Sequence, residues 1–170
     1  HLVSSGNRLL FLYTGGTLSM VEAGNPGHLV PTNSAPDLAT LVPALSAVAD
    51  IEGRLVTHVD SSDLTPSDWG HLARAIAEAH DDYDGFVVVH GTDTMTFTAA
   101  ALSFMLGGNH KPIVLRGSQS PLMEPRTDAR INLVHSAICA THEIREVSLY
   151  FGNHLFRGNR ATDTSVHAYD

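Results

Sequence analysis

Short apolar runs and amphipathic stretches take turns along the chain. "RLLFLY" (8–13) is continuous and apolar, the pattern of a strand covered on both faces. "APDLATLVPALSAVAD" (35–50) has apolar residues at helical spacing, interrupted by Pro43, and "RLVTHVD" (54–60) predicts a second strand. "LTPSDWGHLARAIAEAH" (64–80) predicts the clearest helix. Thr65 can cap it, Pro66 suits its first turn, Asp68 stands at the capping-box position, and Trp69, Leu72, Ala73 and Ile76 share one face. "GFVVVHG" (85–91), "KPIVLRG" (111–117) and "EVSLYFGN" (146–153) predict further strands. "TMTFTAAALSFML" (94–106), ended by Gly107-Gly108-Asn109, and "DARINLVHSAICATH" (128–142) predict further helices. The tail from His154 reads as short, polar and irregular. Strands separated by helices of about 10–15 residues imply βαβ units, a parallel sheet and right-handed crossovers. No repeat, low-complexity tract or linker divides the chain.

That organisation locates function before any motif is named. In open parallel sheets, ligands bind at the carboxyl ends of the strands. The first predicted strand is followed by Thr14-Gly15-Gly16-Thr17 and the second by Asp60-Ser61-Ser62-Asp63. The third is followed by Gly91-Thr92-Asp93-Thr94 and the fourth by Gly117-Ser118-Gln119-Ser120. Any one of these is ordinary turn chemistry. Together they bring hydroxyls, carboxylates and glycines to one rim, with no obvious cation.

Composition narrows the chemistry. At 43% hydrophobic and 16% charged, the 170 residues are those of an ordinary soluble globular domain. A formal net charge of −8 argues against a nucleic-acid partner, because phosphate binding needs a basic face. No apolar run approaches the roughly 18 residues of a membrane span, and the first residues lack the apolar core of a signal peptide. Cys139 is the sole cysteine and sits in an apolar helical stretch, which predicts a buried structural thiol and fits a reducing compartment.

The glycines of "TGGT" let a backbone come close to a ligand and expose its N–H groups, the geometry of an oxyanion hole or carboxylate nest. A threonine beside such a turn can be an acyl-transfer nucleophile once a base activates it. Phosphate-loop, dinucleotide and nucleophile-elbow motifs are missing. The 11 histidines show no metal-ligand spacing, so no metal is expected. His58, His90 and His135 lie in apolar contexts and read as satisfied, partly buried side chains.

The segments "YTGGTLSM", "DSSDLTPSDW", "DGFVVVHGTDTMTFTAAALSFML", "KPIVLRGSQSP", "INLVHSAICA" and "LFRGNRAT" resemble the bacterial L-asparaginases, most of all the cytoplasmic type I enzymes. The match runs in order over about residues 8–163. The resemblance implies a doubly wound, mostly parallel, three-layer α/β sheet of flavodoxin or Rossmann type, the large domain of those enzymes. It implies hydrolysis of L-asparagine to L-aspartate and ammonia without metal or cofactor, in a cytoplasmic homo-oligomer. Thr17 matches the primary nucleophile, and Gly16 the glycine supplying N–H groups to the developing oxyanion. Thr92 and Asp93 match the second threonine and the aspartate that pairs with the substrate amine and a catalytic lysine. Asp60, Ser61 and Ser62 match the loop gripping the α-carboxylate and α-amino group, and Ser118 the small residue beside the leaving amide.

Three departures qualify that expectation. Where the family has its lysine after "RGNRAT", this chain has Asp163, and Lys111 is its only lysine. A carboxylate there brings two acids together and removes the positive charge, which predicts weakened or lost activity. In the glycine- and proline-punctuated stretch after "TGGT", which reads as a lid, the family's tyrosine is replaced by His28, either a base or a loop residue without a role. The family is also about twice as long. The expectation is that residues 1–170 are its large N-terminal domain, with the smaller second domain missing and an apolar interface left exposed. Two alternatives stay open: a catalytically silent amino-acid-binding domain, and the glutaminase subunit of a tRNA amidotransferase, which shares "TGGT" and "HGTDT".

Overall fold

The computed structural model describes residues 6–14, 20–22, 29–31, 37–57, 63–117, 128–151 and 154–158. The chain runs β1 (Arg8–Tyr13), β2 (Met20–Glu22), β3 (Leu29–Pro31), α1 (Leu38–Leu41), a 3₁₀ helix (Pro43–Ala47), β4 (Asp50–Leu55), α2 (Pro66–Ala79), β5 (Gly85–His90), α3 (Met95–Met105), β6 (Ile113–Gly117), α4 (Asp128–Ala140), β7 (Val147–Phe151) and β8 (His154–Arg157). Six strands form one sheet in the order β4-β1-β5-β6-β7-β8, and β2 pairs with β3 in a separate antiparallel ribbon. All pairs in the large sheet are parallel except β7 with β8.

Apolar alternation explains the layering. Leu9, Phe11, Tyr13, Val87, Val89 and Val114 pack with residues of α1, the 3₁₀ helix and α4. Leu10, Leu12, Phe86, Val88, Ile113 and Leu115 pack with α2 and α3. A period of two sends successive side chains to opposite faces, so a strand apolar at every position must be covered twice. Each large apolar side chain fully buried in this way contributes about 1.5–3 kcal/mol. The fold is thus the doubly wound three-layer α/β sheet that the strand and helix pattern and the resemblance imply.

The strands and helices follow the sequence with four corrections. First, the apolar stretch 35–50 is not one helix. Val42 is extended (φ −133°, ψ 78°) because the following proline disfavours helical backbone, and the chain restarts as 3₁₀ at Pro43. Second, the second predicted strand lies earlier, at Asp50–Leu55 rather than 54–60. Charge alternation marks it as an edge strand: Asp50, Glu52 and Arg54 are exposed, and Arg8 reaches Asp50 at 3.4 Å and Glu52 at 3.9 Å. Tyr83 pins the same edge by donating to Glu52, with the Arg8 and Arg54 guanidiniums 5.0 and 5.7 Å from its ring centre. Third, part of the predicted lid forms the β2–β3 ribbon. Fourth, the expected irregular tail starts as β8, antiparallel to β7; in sequence they are separated by Gly152-Asn153, a dipeptide common in two-residue turns.

Cys139 is half-buried against the α4-side core, and burial raises the pKa of its thiol. On the outer helix faces, Phe97 and Phe104 of α3 and Ile131 and Ile138 of α4 are exposed, Phe104 at 91%. Among the described residues no helix is long and apolar enough to cross a membrane.

The capping box of α2 is complete: Thr65 N–H donates to Asp68 at 2.8 Å, and Asp68 N–H to the Thr65 hydroxyl at 3.4 Å. Thr65→Ala is expected to destabilise the domain by about 1 kcal/mol. In urea unfolding this appears as a lower midpoint at unchanged slope.

Candidate active site

In an open α/β sheet a ligand is expected where the strand order switches direction. From β1 the chain goes to β4 on one side and then crosses to β5 on the other, so the topology switches between β1 and β5. Thr14, directly after β1, bridges that point: its N–H and its hydroxyl both donate to the Val89 carbonyl, at 3.2 and 3.1 Å. On the other side, Val56 N–H donates to the Tyr13 carbonyl at 2.8 Å, extending the β4 contact beyond the strand. The exits of β4, β1, β5 and β6 therefore stand side by side on one edge.

Thr92 and Asp93 occupy the turn between β5 and α3, Thr92 half-buried and Asp93 exposed. Asp93 lies just before the first turn of α3, where the helix dipole favours a carboxylate. Gly117, the last residue of β6, lets this turn close on the sheet. A Cβ built on it would stand 2.8 Å from Met95 Sδ and 3.0 Å from Thr92 Cγ2. The glycine before Ser118 thus makes room for Thr92.

Beneath the turn are buried polar groups. His90, 1% exposed, places Nδ1 against the Gly91 carbonyl and Nε2 2.8 Å from the Thr98 hydroxyl. Trp69 of α2 donates its indole N–H to the same hydroxyl at 2.9 Å. Burial lowers the His90 pKa, more than its contact with the Gly91 carbonyl raises it. The opposite face of the last sheet row carries Tyr13, Val89, Arg116 and Tyr150 in register. Arg116 is 4% exposed and donates to the Gly117 carbonyl. The Tyr150 hydroxyl meets His135 Nδ1 at 2.9 Å. Burial drives the Tyr13 phenol well above its ordinary pKa, so it stays protonated at any physiological pH.

Of the candidate residues, Thr92 and Asp93 are described and share one turn. Gly16, Thr17, His28, Asp60, Ser61, Ser62, Ser118 and Asp163 lie outside the described residues. What the structure gives for these is the position of the ends leading to them: Thr14, Thr57 and Gly117 on the carboxyl edge. The "RGNR" segment leaves β8 at Gly158, whose built Cβ would lie 3.2 Å from that of Ala99 in the second turn of α3. His90 is satisfied and buried, as its context suggests. His135 is satisfied but exposed, and His58 lies outside the described residues. The sequence reading missed Arg116, Trp69 and Thr98. A lone arginine inside the apolar strand "KPIVLRG" was the available signal for the first. Nothing in spacing announced the other two, since their meeting depends on how α2 packs against α3.

Fold and strand order define an α/β protein built on a mostly parallel sheet whose topology switches between β1 and β5. The chain belongs to the asparaginase family: residues 8–170 match the family model described as Asparaginase, N-terminal. L-asparaginase 1 of Escherichia coli K12 is 43% identical over 162 residues, covering 93% of this chain and 48% of that protein. A component of the glutamyl-tRNA(Gln) amidotransferase of Pyrococcus abyssi is 42% identical over 135 residues, covering 79% of this chain and 31% of that protein. The crystal structure of L-asparaginase I from Vibrio cholerae superposes with a TM-score of 0.78 at 36% identity, covering 93% of this chain and 48% of that one. The chain thus spans about half the length of these two asparaginases.

His90 yields a pH prediction. Its folded pKa lies below the ordinary 6.5, so below about pH 6.5 the unfolded chain binds a proton that the folded one refuses. Its contribution to stability is complete above that pH and is lost as pH falls. His90→Gln is expected to flatten the decline in urea midpoint between about pH 7 and pH 5 relative to the unaltered chain.

Proposed function

We propose that the chain is the amide-hydrolysing domain of an L-asparaginase, residues 1–170 forming its N-terminal domain. In this reading the Thr17 hydroxyl attacks the side-chain amide carbon of L-asparagine. Gly16 and its neighbouring N–H groups stabilise the tetrahedral oxyanion. Collapse breaks the C–N bond, the leaving nitrogen takes a proton, and ammonia departs from a Thr17 ester. Water then attacks the ester carbon, releasing L-aspartate and restoring the hydroxyl. Asp60, Ser61 and Ser62 hold the α-carboxylate and α-amino group, Ser118 borders the leaving amide, and Asp93 pairs with the substrate amine beside Thr92. His28 lies in the stretch that closes over the site. Homo-oligomerisation and a cytoplasmic location belong to the same reading.

One observation carries the proposal. Four neighbouring parallel strands end on one edge, with the Thr92–Asp93 turn packed on Gly117 one strand from the switch point. Family membership supports the choice of an amide as substrate. Asp163 at the family's lysine position sets the expected level of activity: loss of one member of a catalytic unit typically costs ~10³-fold or more.

Ammonia release from L-asparagine tests this on the 170-residue chain. Asp163→Lys is expected to raise turnover, and Thr17→Ala in that background to abolish it. Tight binding of L-aspartate without turnover in either form selects the silent-domain alternative. Turnover of glutamine that depends on tRNA and a partner protein selects the amidotransferase. No gain from Asp163→Lys, together with no thermal shift from L-aspartate, overturns the proposal.

A further inference from the structure

We propose that Trp69, Thr98 and His90 are positioning residues: a hydrogen-bonded bracket that fixes the peptide joining Gly91 to Thr92 and ties it to the start of α2. The functional meaning of that peptide rests on reading Thr92 and Asp93 as part of the reaction centre. The bracket itself rests on contacts alone.

The chemistry of the groups gives the chain of bonds one direction. The Gly91 carbonyl only accepts, so His90 Nδ1 carries the proton and donates to it. In the neutral ring Nε2 is then the acceptor, and the Thr98 hydroxyl 2.8 Å away donates to it. The indole N–H of Trp69 only donates, and the same hydroxyl oxygen receives it at 2.9 Å. No link can be reversed, because one end of the chain is a pure donor and the other a pure acceptor. His90 and Thr98 are 1% and 0% exposed, so water does not replace a broken link between them without opening the core.

The anchored atom gives the bracket its purpose. The Gly91 carbonyl belongs to the peptide plane that ends in the Thr92 nitrogen. A glycine leaves that plane free to rotate over a wide range of backbone angles. Bonding its oxygen to a buried ring, itself held by α3, fixes the direction in which Thr92 and Asp93 leave the sheet. Trp69 extends the hold to the first turns of α2, whose cap Thr65 follows the Asp60–Asp63 segment closely. The start of α2 and the turn after β5, distant in sequence, thus share one brace. Packing alone would be served by three apolar side chains. A saturated polar chain ending on a backbone oxygen beside the candidate threonine sets an orientation as well.

The test is amide hydrogen exchange by NMR on the unaltered chain and on Thr98→Val, Trp69→Phe and Thr98→Ser. Thr98→Val and Trp69→Phe are expected to speed exchange at Thr92, Asp93 and Thr94 about tenfold, while Val87 and Val88 of β5 are unchanged and Thr98→Ser restores protection. Long-range nitrogen–proton spectra are expected to place the His90 proton on Nδ1. For L-asparagine, kcat is expected to fall about tenfold or more in the two disrupting variants, with KM within about threefold. Unchanged exchange at 92–94, an equal rise across β5, or a proton on Nε2 overturns the bracket. Absence of turnover in both the unaltered and Asp163→Lys chains counts against the asparaginase reading, and the exchange data still decide the bracket.

Discussion

Two donors of one residue, the backbone N–H and the hydroxyl of Thr14, close on a single acceptor, the Val89 carbonyl, where β1 and β5 cease to pair. The site is nearly sealed, with Thr14 2% exposed, so a polar group left alone there would cost about 1–3 kcal/mol. The two hydrogen bonds satisfy the backbone N–H and hydroxyl of Thr14 before the chain enters its two glycines. They also hold β1 to β5 where the topology diverges. The strands on either side are locked in register up to the last row.

That last row differs from the rows below it. Leu, Val, Phe and Ile fill both faces of the sheet interior. At the carboxyl end, Tyr13, Arg116 and Tyr150 appear on the α4 face, and His90 on the face covered by α2 and α3. Of these, His90 bonds the Thr98 hydroxyl and Tyr150 meets His135, and a buried group so partnered gains a defined orientation. The sheet thus passes from an apolar interior that supplies stability to a polar floor that supplies direction, over the thickness of one residue per strand.

The architecture was legible because both of its periodicities are strong. "RLLFLY" and "GFVVVHG" could only be strands covered twice, and the Thr65–Asp68 spacing marked the start of α2 within a residue. Edges were harder to read, since an edge strand need not be apolar: β4 is signalled by charges that pair with Arg8, and β8 by a turn dipeptide. At the site, Thr92 and Asp93 were readable because they follow a strand directly. The brace below them was not. Trp69 looks like one more member of an apolar face, and Thr98 like one of four threonines between 92 and 98. Their roles arise where two helices pack, a distance that no local pattern encodes.

Charge decides how far such a rim can take an amide. The resemblance assigns a lysine to the activation of Thr92 and the balance of Asp93, and at that position this chain carries Asp163. Its only lysine, Lys111, donates to the His80 carbonyl at the opposite end of β6. Arg116 keeps its charge on the α4 face, away from the α3 side on which His90 and Thr98 support the turn. In the proposed reading the sequence keeps the hydroxyls, glycines and Asp93 that would recognise an amino acid's polar ends. In the proposed mechanism it lacks the lysine amine that would take a proton from Thr92 and, once protonated, balance Asp93. A carboxylate carries the opposite charge and cannot substitute for that cation. In the proposed mechanism, recognition and turnover are separable in this chain at one residue, Asp163.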